Sequence, residues 1–263
     1  MERYTELNKI NETGNSIIYK AKDNSIGRDV VIKKIRNPNK EYKIRLEREI
    51  KILSKLEHPN IVPIYDTYED LDGTLCYVMR YIEGKTLLDS IEDFDKNQRM
   101  RVFSQILNVL DFVHKNNIIH RDLKPGNILI DSNHNLYLID FGIAKDLDAD
   151  YTRITRTGQY IGSQSYSSPE QEKGEKLTQK SDLYSLGLIF YEMIYGKTFI
   201  RDNLDKKKKD PLLRIIFKMT EKKLEDRYSN CEEIQKDLMN LRGEGKLKKF
   251  FSFLGYFLIG IFI

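Results

Sequence analysis

The stretch HRDLKPGN at residues 120–127, followed by DFG at residues 140–142, decides how the rest of this sequence is interpreted. Its last residue begins a short apolar run, NILI at 127–130, and a second run, LYLID at 136–140, ends on the aspartate of DFG. The five residues between the runs, DSNHN, are polar and turn-forming, so the segment predicts a β-hairpin. Such a hairpin brings charged and polar side chains from both of its ends to one place.

Four of these side chains form a set with a definite chemistry. Phosphoryl transfer needs a carboxylate near the attacking hydroxyl, a cation near the phosphoryl group, and oxygen ligands that hold magnesium on the phosphates. Asp122, Lys124, Asn127 and Asp140 supply these groups. The motifs resemble the catalytic loop and metal-binding motif of eukaryotic-like (bacterial) serine/threonine protein kinases, in particular the kinase domains of membrane-anchored receptor kinases. The resemblance extends over residues 4–241.

The resemblance implies a role for each of the four residues. Asp122 would orient and deprotonate the acceptor hydroxyl, and Lys124 would neutralise the γ-phosphate, while Asn127 and Asp140 would hold Mg²⁺. The implied enzyme is a protein-serine/threonine kinase that uses ATP and Mg²⁺ and takes protein substrates.

The first eighty residues are typical of a sheet. Three segments carry the β-branched and aromatic residues that suit strands: 16–22, 28–35 and 74–82. One helix is predicted between them at 41–57, where apolar residues recur at helical spacing and His58-Pro59 follows.

After Gly84 the sequence changes to longer amphipathic helices, which we predict at 97–116, 181–195 and 230–241. We therefore expect an α+β, bilobal, protein-kinase-like fold. Its small antiparallel-sheet N-lobe with one helix would span about residues 1–80 and its hinge 80–84. The larger, mainly helical C-lobe would span 85–241.

Lys33 ends the strand-like run VVIK at residues 30–33. Taken alone it would be an ordinary solvated lysine of a strand. By resemblance it would contact the α- and β-phosphates of ATP, and Glu49 on the following helix would be its ion-pair partner.

The nucleotide-covering loop INETGNSII at 10–18 keeps Ile10 and Ile18 but has only Gly14 where the family often has three glycines. Thr13 is β-branched and less permissive than glycine at such a position. At the adenine end, Met79 would be the gatekeeper, and Arg80 and Ile82 would belong to the hinge. Val31 and Leu129 would sandwich the base together with the two isoleucines; singly, each could be ordinary core.

The segment IGSQSYSSPEQ at 161–171 resembles the end of a kinase activation segment, with Ser168-Pro169-Glu170 in place of APE. Glu170 would pair with Arg227 of EDRYS, a structural clamp typical of kinases with protein substrates. Thr155 and Thr157, which could also be plain polar loop residues, are predicted autophosphorylation sites, because a phosphate there could bind an arginine.

Composition and residue spacing argue against several other functions and kinds of site. The chain has 263 residues, with 44 Lys and Arg against 40 Asp and Glu, so nucleic-acid binding is not indicated. Cys76 and Cys231 form no CxxC pair, which excludes a zinc motif and a disulfide framework and fits a reducing cytosol. The four histidines lack metal-ligand spacing. The run Lys206–Lys209 is interpreted as a solvated loop.

The last fourteen residues, 250–263, are mostly apolar and follow a basic linker at 242–249. As a helix they would reach about 21 Å, short of a hydrocarbon core of about 30 Å. A buried helix is one interpretation. We favour a partial transmembrane anchor that tethers a cytoplasmic kinase domain to the membrane, as expected of a signal-transduction kinase.

Two other functions remain open at this stage. A pseudokinase scaffold, which binds nucleotide without efficient transfer, is the main alternative because of the altered loop at 10–18. A small-molecule kinase is disfavoured by the SPE segment and by DLYSLG at 182–187. The resemblance also raises, without deciding it, a homodimer.

Overall fold

The computed structural model describes residues 3–13, 16–36, 40–142, 166–196 and 210–243. Several predicted features lie outside these ranges: Gly14, Thr155, Thr157, the run 206–209, and the C-terminal residues 244–263. The described residues form a small sheet lobe and a larger helical lobe. The expected α+β, bilobal architecture is thereby confirmed.

The N-lobe is built on one antiparallel sheet of five strands in the order β1-β2-β3-β5-β4. The strands are β1 (Tyr4–Glu12), β2 (Ser16–Asp23), β3 (Arg28–Ile35), β4 (Ile64–Glu69) and β5 (Leu75–Arg80). In the central strands β3 and β5, β-branched side chains such as Val30, Ile32 and Val78 are fully buried. The register between β3 and β5 places Lys33 opposite Tyr77.

Helix α1 (Lys40–Leu53) packs against this sheet through Leu46 and Ile50. The predicted helix to residue 57 was wrong at its C-terminal end. The backbone N–H of Lys55 bonds to Ile52 O at 3.2 Å and that of Leu56 to Leu53 O at 3.0 Å, so the last turn tightens to i→i+3 bonds. A proline at position 59 disfavours helical backbone just before it.

The C-lobe contains the remaining six of the seven α-helices found among the described residues. They are α2 (Leu87–Ser90), α3 (Lys96–Lys115), α4 (Pro169–Glu172), α5 (Gln179–Tyr195), α6 (Pro211–Met219) and α7 (Cys231–Gly243). Helices α3 and α5 are buried along most of their apolar faces, and Phe103 stacks on Phe190 between them with ring centroids 3.7 Å apart. No helix in these described ranges is long and apolar enough to cross a membrane.

A second, three-stranded sheet lies at the junction of the lobes, in the order β6-β7-β8. Its strands are β6 (Gly84–Thr86), β7 (Ile128–Asp131) and β8 (Leu136–Leu138). The predicted hairpin is therefore present, with Ile128 paired to Leu138. A 3-10 turn, Pro125–Asn127, leads into β7.

Two apolar clusters form the main cores of the lobes. One contains α1, β3 and β5 residues and the other joins the C-lobe helices to β7 and β8. Leu53 and Phe141 pack against both clusters, so they connect the two lobes. Both side chains lie beside the catalytic hairpin.

Candidate active site

The catalytic loop places a carboxylate between two donors. The Asp122 Oδ2 atom accepts a bond from Lys124 Nζ at 2.9 Å and another from Asn127 Nδ2, also at 2.9 Å. Asn127 Nδ2 also donates to the Asp122 carbonyl at 2.8 Å. The 3-10 turn before β7 makes this possible because it folds Asn127 back onto the loop.

The backbone before Asp122 is anchored from the C-lobe by one buried carboxylate. Asp182, near the start of α5, accepts the N–H of His120 at 2.7 Å and the N–H of Arg121 at 2.9 Å. Its Oδ2 atom also contacts His114 Nε2 at 2.8 Å. Arg121 has a φ of 66°, the left-handed region that arginine rarely adopts, so its backbone depends on such bonds.

His120 has a structural role: it holds the DFG motif against the catalytic loop. Its ring is fully buried and lies against Phe141 with the ring centroids 4.6 Å apart. Burial lowers the pKa of His120 and therefore favours the neutral imidazole. Gly142 N donates to His120 O at 2.7 Å, which joins DFG to the catalytic loop.

Asp140 forms an ion pair with Lys33. Lys33 Nζ lies 2.5 Å from Asp140 Oδ1, and Asp140 itself has a left-handed φ of 54°. Burial opposes a charge on Lys33, but the neighbouring Tyr77 and the Asp140 carboxylate outweigh it and raise the pKa of Lys33. Tyr77, itself buried, has a pKa raised by burial to about 12. Lys33 is therefore a stable cation beside a neutral phenol.

The expected ion pair between Lys33 and Glu49 was wrong for this structure. Glu49 Oε1 instead lies 3.4 Å from Arg121 Nη1, and the carboxylate that Lys33 contacts is that of Asp140. The reason is tertiary: helix α1 carries Glu49 toward the catalytic loop, while the turn after β8 brings Asp140 to the end of the Lys33 side chain. Both ion pairs join the N-lobe to the C-lobe.

Asn127 and Asp140 have the donor chemistry that Mg²⁺ prefers. Magnesium binds oxygen ligands, mainly carboxylates and amide or phosphate oxygens. Both hydrogen bonds made by the Asn127 amide use Nδ2 with acceptor oxygens of Asp122. Since these acceptors fix which end of the amide is the donor, Oδ1 is the Asn127 atom that could coordinate a cation. The residues present thus fit the ion.

The adenine-site residues are only partly brought together. Met79 and Ile82 are buried in one cluster, with Val31 and Leu129 packed against it. Val31 and Met79 are also direct partners across β3 and β5. Ile10 is 53% exposed. Ile18 is half-buried on β2, and Arg80 is exposed at the end of β5.

The described part of the nucleotide-covering loop is closed by Thr13 and Ser16. Thr13 N donates to Ser16 O at 2.8 Å, and Ser16 N donates to Thr13 Oγ1 at 3.1 Å. The two hydroxyl oxygens are 3.1 Å apart. The threonine at a usual glycine position is thus bonded to Ser16 through both its backbone and its side chain.

The predicted pair between Glu170 and Arg227 is present and buried. Two parallel bonds join the guanidinium to the carboxylate, at 2.7 and 2.8 Å. Burial alone would raise the pKa of Glu170, but the bonds from Arg227 outweigh it and lower that pKa to about 2. The guanidinium also lies over the Tyr184 ring at 4.8 Å.

Three residues with roles at this site were missed by motif reasoning. Asp182 and Gln171 hold the catalytic-loop backbone, the latter through a 2.6 Å bond from Nε2 to Arg121 O. Tyr77 lies beside Lys33. The only sequence signals for these roles were that Asp182 belongs to DLYSLG and that Gln171 follows SPE. Tyr77 has no such signal, because in the sequence it is an ordinary strand residue.

Comparison with known proteins agrees with this geometry. The protein kinase domain model matches residues 4–245. A probable serine/threonine-protein kinase of Clostridium acetobutylicum is 34% identical over 91% of this chain and 40% of its own length. PrkC of Bacillus subtilis, a serine/threonine-protein kinase, is 41% identical over 74% of this chain and 31% of its own.

PknB of Mycobacterium leprae, also a serine/threonine-protein kinase, is 34% identical over 87% of this chain and 41% of its own length. The chain thus spans less than half the length of these curated relatives. With the hairpin, the catalytic loop and the Glu170–Arg227 pair in place, the chain belongs to the protein kinase domain family, among the bacterial eukaryotic-like serine/threonine kinases.

Proposed function

We propose that the chain transfers the γ-phosphate of Mg-ATP to serine or threonine hydroxyls of proteins. The observation that carries this proposal is the Asp122 carboxylate, held by Lys124 and Asn127 on the hairpin that also ends in Asp140. The names of the relatives support the serine/threonine class. The Glu170–Arg227 pair supports a protein substrate, because it anchors the end of the segment on which a peptide would lie.

In the proposed reaction, the oxygen of the substrate hydroxyl forms a bond to the γ-phosphorus, and Asp122 accepts the proton of that hydroxyl. The bond from that phosphorus to the bridging oxygen breaks, and ADP leaves with the electron pair. Lys124 neutralises charge on the transferring group. Asn127 Oδ1 and Asp140 would hold Mg²⁺, which would supply neutralising charge at the phosphates. Lys33 contacts the α- and β-phosphates.

This reaction requires the ion pair between Lys33 and Asp140 to change. Asp140 cannot hold a metal ion fully while Lys33 occupies one of its oxygens at 2.5 Å. We propose that Lys33 leaves Asp140 for the phosphates when nucleotide binds.

The first test is transfer of radiolabelled γ-phosphate to the chain itself and to a generic basic protein. Asp122→Asn keeps the shape of the side chain but removes the base, and we expect a loss of labelling of at least about 100-fold. Asp93→Asn, an exposed aspartate of the C-lobe, is the control and should label like wild type. Equal labelling by wild type and Asp122→Asn would contradict the assignment of the base.

The alternative function is a pseudokinase scaffold. Two observations favour it: Thr13 of the nucleotide-covering loop is bonded to Ser16, and Lys33 occupies Asp140. It predicts that wild type binds nucleotide, seen as a rise in melting temperature, while labelling stays at the level of Asp122→Asn. Thr13→Gly would then be the first variant to examine for recovered transfer.

We also propose that the chain phosphorylates itself at Thr155 or Thr157. The support is their position in the sequence, between DFG and the SPE segment, and the presence of Arg121 in the catalytic loop, a side chain that could bind a phosphate. Phosphopeptide mapping after incubation with ATP tests this. Phosphate found only at other residues would contradict it.

Membrane contact through residues 250–263 is proposed from sequence alone, because an apolar stretch follows Lys246, Lys248 and Lys249. Fractionation of the full chain should place it with membranes. Leu258→Arg should release it, since a charge within such a stretch is costly in hydrocarbon. A wild-type chain found wholly in the soluble fraction would contradict the anchor.

A further inference from the structure

The peptide bond that joins Arg121 to Asp122 is held at both of its polar atoms. Its N–H, on Asp122, donates to His120 O at 2.9 Å. Its C=O, on Arg121, accepts a bond from Gln171 Nε2 at 2.6 Å. Since the plane of this peptide sets the direction in which the Asp122 side chain leaves the backbone, these two bonds contribute to placing the carboxylate, together with its bonds to Lys124 and Asn127.

The Arg121 backbone needs external support because its conformation is unfavourable for a residue with a side chain. Its φ is 66°, in the left-handed region. Asp182 holds the N–H side of Arg121 at 2.9 Å, and Gln171 holds its carbonyl side. The two supports come from different helices, α5 and α4.

Gln171 is itself firmly placed. It directly follows Glu170, whose carboxylate is fixed by the buried Arg227 guanidinium through bonds of 2.7 and 2.8 Å. The α4 turn is therefore tied to the C-lobe core at the residue next to Gln171. A chain of contacts runs from Arg227 through Glu170 and Gln171 to the residue preceding the proposed base.

We propose that Gln171 is a positioning residue for Asp122: its side-chain amide orients the peptide bond immediately before the catalytic carboxylate. The inference rests on the proposed phosphoryl transfer, in which Asp122 must lie within hydrogen-bond reach of the substrate hydroxyl. Gln171 touches neither substrate nor nucleotide in this scheme. It makes the end of the activation segment part of the support of the catalytic loop.

Loss of the Gln171 bond should act on the chemical step. A displacement of about 1 Å of a catalytic group can reduce the rate by up to about 100-fold. We expect kcat to fall at least about 10-fold. The KM for ATP should change less than about 2-fold, because the Gln171 side chain bonds to Arg121 of the catalytic loop, a residue with no assigned contact to ATP.

The variants are chosen to separate positioning from folding. Gln171→Met removes the donor at nearly constant length, and Gln171→Lys restores an N–H donor at similar reach. Gln179→Met is the matched control, because Gln179 Nε2 makes the same kind of bond, 2.7 Å to Ser229 O, away from the catalytic loop. All are made in the full chain, with Asp122→Asn as the inactive reference.

Three measurements are needed: steady-state kinetics with a generic protein substrate, the melting temperature, and amide hydrogen exchange. The expected result is a low kcat for Gln171→Met, recovery to within about 3-fold of wild type for Gln171→Lys, and wild-type kinetics for Gln179→Met. Exchange should accelerate at His120, Arg121 and Asp122 only in Gln171→Met, with a melting temperature close to that of Gln179→Met.

Hydrogen exchange tests the positioning role of Gln171 independently of the proposed function, because it does not require phosphoryl transfer. If wild type transfers no phosphate, the proposed function fails, yet faster exchange of the loop in Gln171→Met would still support positioning. Unchanged exchange and unchanged kcat in that variant would overturn the inference. A fall in kcat that tracks a general loss of melting temperature, with no recovery in Gln171→Lys, would also overturn it, since the bond would then serve only the fold.

Discussion

At the residue scale, the site depends on backbone conformations that only surrounding side chains can sustain. Arg121 and Asp140 have φ values of 66° and 54°. Each such residue carries a conformational cost of about 1–3 kcal/mol, and persists only where neighbours fix it. Asp182 bonds to the Arg121 N–H, and Lys33 pairs with the Asp140 carboxylate. The strained residues are the ones that orient the proposed base and the metal ligand.

The Glu170–Arg227 pair should give the fold a defined acid sensitivity. The pKa of Glu170 is lowered from 4.5 to about 2 in the folded protein. The pair therefore contributes its full stabilisation above about pH 4.5 and loses it as the pH falls toward the pKa of the folded state. We expect Glu170→Gln to cost about 3 kcal/mol of unfolding free energy at pH 7, since it weakens a buried pair. Urea unfolding measures this.

The difference between wild type and Glu170→Gln should shrink steadily below about pH 4.5. Glu172→Gln, at an exposed position of the same helix, is the control and should change stability little at any pH. A difference for Glu170→Gln that stays constant from pH 7 to pH 3.5 would contradict this account.

Gly84 should not tolerate a larger side chain. A Cβ atom at this position would lie 2.3 Å from Ile130 O, a backbone atom of the neighbouring strand β7. We expect Gly84→Ala to cost about 1–3 kcal/mol, because β6 and β7 must separate to admit the methyl group. Gly126→Ala, where a Cβ atom would meet nothing within 4 Å, is the stability control. Equal urea midpoints for the two variants would show that the strands separate freely.

At the element scale, capping decides where the long C-lobe helix α3 begins. The Asp95 side chain accepts the N–H of Gln98 at 2.8 Å, and the Gln98 side chain accepts the N–H of Asp95 at 2.8 Å. Such a reciprocal box satisfies two donors that a helix start would otherwise leave unpaired. The amphipathic pattern predicted this helix at 97–116, and it spans Lys96–Lys115.

Asp95→Ala should reduce the unfolding free energy by about 1 kcal/mol, because the Gln98 N–H loses its acceptor. Asp93→Ala removes the same charge from an exposed position two residues earlier and should have an effect within about 0.5 kcal/mol. Chemical denaturation of both variants in the same buffer measures the difference. If both cost the same, charge and not capping is responsible.

The edge strands of the N-lobe sheet were less predictable than its central strands. The edge strands β1 and β4 were not among the predicted segments, and β1 is mostly exposed, so its sequence YTELNKINE carries little apolar alternation. Its position depends on pairing with β2, a contact between neighbours in space. Strands β2 and β3 were predicted almost to the residue, because their side chains are largely buried or half-buried.

At the scale of the whole molecule, the two lobes are joined by a few side chains around the site. Leu53 and Phe141 pack against both apolar clusters. Two ion pairs, from Lys33 to Asp140 and from Glu49 to Arg121, also cross between the lobes. The Glu49–Arg121 pair thus puts α1 in direct contact with the catalytic loop.

Leu53→Ala should uncouple the lobes as well as destabilise them. We expect a loss of about 2 kcal/mol and a shallower urea transition, because a cavity would separate the two clusters. Ile52→Ala, at a neighbouring position that is 52% exposed, is the control and should change little. A lower midpoint with an unchanged slope for Leu53→Ala would mean that the lobes still unfold as one unit.

The sequence by itself determined the fold class and the catalytic hairpin, because these depend on local periodicity and on motifs with fixed spacing. The Glu170–Arg227 pair followed from the resemblance of its two motifs to those of protein kinases. Tertiary structure alone decided the partners of Lys33 and Glu49, since two carboxylates and two cations from distant segments meet there as two ion pairs. It also decided that Gln171 and Asp182 support the catalytic loop, from residues 50 and 61 positions away from Arg121. Motif spacing specifies which groups are present, whereas packing determines which of them meet.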